Sequence, residues 1–241
     1  MSVAQAKEWI AQARSVAVLT GAGISAESGL PTFRGPGGLW RNFRPEQLAT
    51  PEAFHRNPQL VWEWYDWRRG VHAKCEPNAG HHALAQLERR VSEFLLITQN
   101  VDSLHERAGS QRVVHLHGSL WRVRCLVCGG EESNTQVPLD PLPPRCACGG
   151  MLRPDVVWFG EALPRAAIEQ AMQAAYTADV FLVAGTSSVV YPAAALPHVA
   201  KQHGARVIEV NLEATELSAV ADITLRGKCG DLLAQLLRDD F

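Results

Sequence analysis

Ser15-Val-Ala-Val-Leu-Thr20-Gly21-Ala-Gly23-Ile-Ser-Ala26 is the stretch that sets the fold class of this 241-residue chain. Between Ser15 and Thr20 the residues are continuously apolar. A strand wetted on one face would alternate, so this one is expected in a parallel sheet covered on both faces. The Gly-x-Gly-x-x-Ala that follows sits where a strand gives way to a helix, the context in which such a turn binds a dinucleotide. Glycines there let backbone N–H groups approach a pyrophosphate, while the next helix directs its positive end at the charge. Many glycine-rich turns bind nothing, however, and the acidic residue about 20 positions on that would hold a ribose is missing. Gly29-Leu-Pro-Thr-Phe33-Arg34-Gly35 stands there instead.

Working outward, similar apolar runs recur at Phe94–Thr98, Val113–His115, Val180–Ala184 and Val207–Val210. Helical patterns alternate with them. The first 14 residues place Val3, Ala6, Ile10 and Ala13 on one face, Asn78 can cap a helix running to Val91, and Gly109 can close one after Ser103–Ala108. Two more helices are expected over Pro192–Gly204 and Asp231–Arg238. This alternation predicts an α/β fold with a doubly wound parallel sheet, Rossmann-like in type. Two segments interrupt it. Residues 36–74 are Trp-rich and helical in pattern, an insertion expected to cover the sheet edge. Residues 120–154 hold clustered cysteines and the proline-rich Pro138–Arg145, which cannot form a regular element. The nucleotide-binding domain is then expected to consist of residues 1–35, 75–119 and 155–241.

The cysteines read Cys125-x-x-Cys128, seventeen residues, then Cys146-x-Cys148. Four thiolates at this spacing complete a tetrahedral S4 set with no open position, so the metal is expected to be one structural zinc. An iron–sulfur cluster is the alternative. Gly129, Gly130, Gly149 and Gly150 follow the pairs, as metal knuckles commonly require. Cys75 and Cys229 stand apart, and no secretory leader is apparent, so a reducing, cytoplasmic setting is expected. The net charge is −2 and no Lys/Arg run exceeds two residues, which argues against a nucleic-acid partner. No apolar run approaches the roughly 20 residues of a membrane span.

Thr20–Gly35 (TGAGISAESGLPTFRG) resembles the cofactor loop of the sirtuins, NAD-dependent protein-lysine deacylases. The similarity continues through Thr98–His105 (TQNVDSLH), Leu116-His117-Gly118, the four cysteines, Arg153–Glu161 (RPDVVWFGE), Gly185-Thr186-Ser187 and Val210-Asn211. The Cys-x-Cys pair departs from the commoner Cys-x-x-Cys of that family. The resemblance implies a sirtuin-type fold and NAD held by Gly21, Ala22, Gly23, Ser25, Glu27, Phe33, Arg34, Trp40, Gln99, Asn100, Val101, Asp102, Gly185, Thr186, Ser187, Asn211, Leu212, Glu213 and Cys229. Within that set it implies that Asn100 and Asp102 meet the nicotinamide side, Phe33 shields the reacting carbon from water, and Asn211 meets the adenosine ribose. It also implies His117 as catalytic base, a task suited to an imidazole neutral near pH 7. Taken without the resemblance, Asn100 and Asp102 can equally be helix caps.

Tyr65 and Arg68 lie one helical turn apart on a shared face, where phenol and guanidinium together can hold a carboxylate. This pair resembles the sirtuin subgroup that removes succinyl and malonyl groups. Trp/Tyr rows at helical spacing are also ordinary core packing. The expected activity is therefore removal of acetyl, and of succinyl or malonyl, from acyl-lysine proteins by a monomeric enzyme. Mono-ADP-ribosyl transfer through the same NAD site and a non-catalytic zinc module fused to a nucleotide sensor are the alternatives.

Overall fold

The computed structural model describes residues 2–32 and 45–238. The expectations placed on Phe33, Arg34 and Trp40 therefore fall outside the described residues.

Six parallel strands, β1 (Ser15–Thr20), β2 (Glu93–Thr98), β3 (Val113–His115), β7 (Val180–Ala184), β8 (Arg206–Asn211) and β9 (Ile223–Arg226), form the main sheet. Their spatial order is β3-β2-β1-β7-β8-β9, the doubly wound arrangement the apolar runs predicted. All six residues of β1 are buried, because both faces are covered. Val16 and Val18 pack into one core with Ile10, Leu84, Leu87 and Leu233. These come from helices α1 (Val3–Gln12), α5 (Ala79–Arg90) and α9 (Cys229–Leu237). Ala17 and Leu19 enter the opposite core with Ala171, Ala175 and Leu196, from α7 (Arg165–Thr177) and α8 (Leu196–Gln202). Chain order reverses between β1 and β7, so their carboxyl ends diverge into a crevice.

A second, antiparallel sheet joins β4 (Gly118–Cys125), β5 (Glu131–Ser133) and β6 (Leu152–Val156) in the order β5-β4-β6. The helical insertion contributes α2 (Pro45–Leu48), α3 (Pro51–Arg56) and α4 (Pro58–His72). It was expected against the edge of the main sheet. Instead Trp62, Trp64, Tyr65 and Phe54 share one core with Leu120, Val123 and Leu152 of the metal-bearing segment and with Trp158 just beyond it. Buried Arg69 fixes that docking by donating to the carbonyls of Leu120, Asn134 and Gln136 and to the Asn134 side chain. Helical spacing showed that these aromatics form a stripe; it carried no information about which surface the stripe would meet.

The element after β1 is a 3₁₀ helix, Ala22–Ser28, rather than the α-helix the fingerprint implied. The Asn78 side-chain amide donates to the Ile24 carbonyl at 2.7 Å, and the Leu30 amide takes the Ser25 carbonyl. Gly29 closes the turn with φ 89°. Helix α6 (Leu104–Arg107) follows β2 and ends at Gly109, φ 104°.

Candidate functional site

The turn after β1 is pressed backbone to backbone against the turn after β7. The Gly21 amide donates to the Ala184 carbonyl at 3.1 Å, and the Gly23 amide to the Gly185 carbonyl at 2.7 Å. A Cβ on Gly23 would lie 2.7 Å from that carbonyl oxygen, and one on Gly185, whose φ is +63°, would lie 2.3 Å from the Ile24 nitrogen. The glycines are thus required by contact between two chain turns. Two of the turn's amides are thereby engaged within the protein, at Gly21 and Gly23.

Thr186, buried beside Gly185, accepts at Oγ1 from the Gln99 side-chain Nε2 at 2.9 Å, while its carbonyl accepts from the Asn211 side chain at 3.0 Å. The ends of β2, β7 and β8 are thereby linked at one edge of the crevice. Ser187, Leu212 and Glu213 are exposed along it, and Ala22 is half-buried. Glu27 and Cys229 are also tied into the fold. Glu27 accepts from the Gly230 amide and caps the first turn of α9. Cys229 is buried, and desolvation followed by the nearby Glu27 charge pushes its thiol up to about 12, so the side chain is inert.

Beyond the turn, Asn100 and Asp102 are buried at the carboxyl end of β2, with Val101 between them. Asn100 Nδ2 donates to the Gly21 carbonyl at 3.1 Å, and Asp102 accepts from Ser25 Oγ at 2.8 Å and from the Leu104 amide at 3.0 Å. Asp102 thus accepts the first amide of α6 from just before the N-cap, Ser103, alongside its contact with the glycine turn. Burial raises the Asp102 carboxyl above its ordinary range, opposed by these two donors. Behind them lie two histidines the sequence did not single out. His81 accepts the Asn78 amide at Nδ1, completing a capping box, and its Nε2 faces Ser25 Oγ at 3.4 Å. His105 is hydrogen-bonded to Thr20 Oγ1 at 3.0 Å. Both are held neutral chiefly by burial, His81 down to about 4. Asn78-x-x-His81 carried a readable capping-box spacing; the pairing with Ser25 did not.

His117 lies where the chain passes from the large sheet into the small one. Its Nδ1 is 3.0 Å from the Gln99 carbonyl, an acceptor only, so Nδ1 carries the proton and Nε2 the lone pair. Burial lowers its pKa, with the Gln99 carbonyl opposing, so the ring is neutral near pH 7. Gly118 follows with φ +76°; a Cβ there would sit 2.0 Å from the Asp155 carbonyl oxygen, which accounts for glycine after the histidine.

Tyr65 and Arg68 do come together. The Arg68 guanidinium lies 4.7 Å from the Trp64 ring centre and 5.5 Å from that of Tyr65, and the Tyr65 hydroxyl accepts from the Trp158 indole at 2.9 Å. Both side chains are buried. Arg68 is close enough to Asp102 for that carboxylate to favour its charge, against the larger effect of desolvation. The pair therefore lies near the Asn100–Asp102 loop.

The sulfurs of Cys125, Cys128, Cys146 and Cys148 all lie within 4.8 Å of one another. Cys125 and Cys148 are 3.5 Å apart and Cys128 and Cys146 3.8 Å apart. A ZnS4 tetrahedron with bonds of about 2.3 Å has an edge of roughly 3.8 Å. The residues therefore fit zinc, and the Cys-x-Cys pair closes the set without displacing a sulfur. Gly129 and Gly149 take positive φ in the two knuckles, and a Cβ on Gly150 would lie 2.7 Å from Cys125 Sγ.

Residues 21–192 match the Sir2 family model. The NAD-dependent protein deacylase of Aquifex aeolicus is 58% identical over 89% of this chain and 90% of its own length. The NAD-dependent protein deacylase 2 of Pyrobaculum aerophilum is 54% identical over 95% and 92%. A solved Sir2 homologue–NAD complex is 50% identical, covers 98% of this chain and 92% of its own, and superposes with TM-score 0.92. The structure of Sir2Af2 bound to a myristoylated histone peptide is 38% identical over 98% and 94%, with TM-score 0.78. Glycine turn, histidine geometry, sulfur tetrahedron and these similarities agree: the chain belongs to the Sir2 family.

Proposed function

We propose that this protein is an NAD-dependent protein-lysine deacylase whose base is His117, with a zinc ion held by the four cysteines as scaffold. The observation carrying it is the His117 tautomer, with Nδ1 engaged by the Gln99 carbonyl and Nε2 left to take a proton. NAD, when bound, supplies the ribose carbon that receives the acyl oxygen of the modified lysine as nicotinamide leaves. The chain's own part is positioning and proton transfer. Asn100 and Asp102, fixed by Gly21, Ser25 and Leu104, are suited to orient the nicotinamide end. Thr186 and Asn211, tied to each other, are suited to hold the adenosine end. His117 Nε2 takes a ribose hydroxyl proton, a contribution of about 10²- to 10⁴-fold.

Acyl-lysine proteins are the substrates of this reading, as the peptide complex of the 38% identical relative suggests. Its finer part is that acidic acyl groups are accepted, with Arg68 as the counter-charge and Tyr65 beside it. The stacking of Arg68 on Trp64 and Tyr65 supports that part by holding the guanidinium in one place. The protein is read as a monomer acting in the cytoplasm.

Acetyl-, succinyl- and malonyl-lysine peptides incubated with and without NAD, followed by mass spectrometry, test both levels. Free lysine with O-acyl-ADP-ribose is the expected product. ADP-ribosylated protein with the acyl-lysine intact would overturn the deacylase reading. For Arg68→Met, desuccinylation is expected to fall far more than deacetylation; an equal fall in both would remove the acidic-pocket assignment.

A further inference from the structure

The geometry assigns His115 as a positioning residue: a doubly donating imidazolium that ties the Asn100–Asp102 loop to helix α6. This rests on the reading that the loop meets NAD. His115 ends β3, opposite Thr98 in the parallel register. Its Nε2 is ion-paired with Glu106 of α6, and its Nδ1 lies 3.4 Å from the Asn100 carbonyl oxygen. A carboxylate and a carbonyl only accept, and a neutral imidazole has one N–H. Both contacts are therefore hydrogen bonds only while both ring nitrogens are protonated. On deprotonation, one nitrogen lone pair must face an oxygen. The loop would then lose the ring's hold on Asn100 or the ring its hold on α6.

The charges around the ring favour the cation. Glu106 faces it from α6 and Asp102 from the loop, while neighbouring His105 is neutral. Arg107 of α6 is directed elsewhere, to Glu76 and the Cys75 carbonyl. The ring and Glu106 are 25% and 40% exposed, so protons exchange with solvent. Burial opposes the charge, yet these partners raise the His115 pKa above its ordinary value. His117, two residues on, is lowered. One short connection thus carries a histidine whose partners favour the charge and another whose burial disfavours it. Below the raised His115 value the tether is present; as pH rises through that value it is lost, while His117 is already in its basic form.

The test pairs NMR titration of the His115 ring with calorimetric NAD titration from about pH 6 to 9. Both use the full-length protein, with His115→Gln and Glu106→Gln as variants. Three results are expected. The His115 resonance titrates above 6.5, its pKa falls in Glu106→Gln, and NAD affinity of the parent weakens about 2- to 10-fold through that titration. In His115→Gln the step in affinity is absent. A His115 resonance titrating at or below 6.5 overturns the assignment, as does the same pH step persisting in His115→Gln. If calorimetry detects no NAD at any pH, the functional reading fails, and the resonance titration alone then decides the protonation state assigned to His115.

Discussion

Replacing Gly23 with Ala tests whether the crevice depends on contact between two chain turns. The new Cβ would lie 2.7 Å from the Gly185 carbonyl oxygen and 2.8 Å from its Cα, both backbone atoms that no rotamer change can move. Relief requires the turns after β1 and β7 to separate, which also lengthens the 2.7 Å bond from the Gly23 amide to Gly185. Overpacking of this kind costs about 1–3 kcal/mol, and a weakened hydrogen bond adds up to about 1 kcal/mol. At roughly 2–4 °C per kcal/mol for a chain of this size, Tm is expected to fall by about 2–15 °C. Gly70→Ala provides the contrast. It lies inside α4, where a new methyl carbon would have no atom within 4 Å, and its φ is not positive. There alanine should stabilise by about 0.5–1 kcal/mol. Scanning calorimetry gives both Tm values, and NAD titration well below either Tm reports the crevice. Gly23→Ala melting with the parent and binding NAD as tightly would refute the argument.

Four further outcomes follow from the structure. His117→Ala should lower kcat by about 10²- to 10⁴-fold while NAD affinity stays within a small factor; near-normal peptide deacylation would remove His117 as base. Because the folded His117 pKa is lowered, the neutral base persists below the ordinary value of 6.5, and the acid limb of kcat/KM should lie below that pH. The buried His81, lowered from 6.5 to about 4, adds a stability effect of the same sign. The unfolded chain takes up a proton that the folded ring refuses, so stability is full above 6.5 and declines toward 4, by on the order of 3 kcal/mol. Urea midpoints that are level from about pH 7 to 4.5 would contradict this. Removing metal with a strong chelator should loosen the small lobe, since structural zinc contributes about 10–16 kcal/mol of binding energy. Near-UV circular dichroism reads this directly, because Trp62 and Trp158 lie in the core that Cys125 shares; an unchanged spectrum would show that the cysteines are not the scaffold.

What the sequence determined by itself was local. An unbroken apolar run at Ser15–Thr20 already required burial on two faces, and repeated runs between helical patterns already required a parallel sheet. Cysteine spacing specified the metal set, and the order of motifs specified the family, because each lies within a short stretch of chain. What the tertiary structure decided was which distant groups meet. Ser25 finds Asp102 across 77 residues and Glu27 finds Gly230 across 203, contacts that no local spacing records. The glycines of the turn are fitted against Gly185, and the Trp-rich helices packed on the metal-bearing sheet. His81, His105 and His115 gained their roles in the same way. A polar side chain's partner, and hence its protonation, depends on distance through space, and periodicity along the chain records only which face a residue occupies.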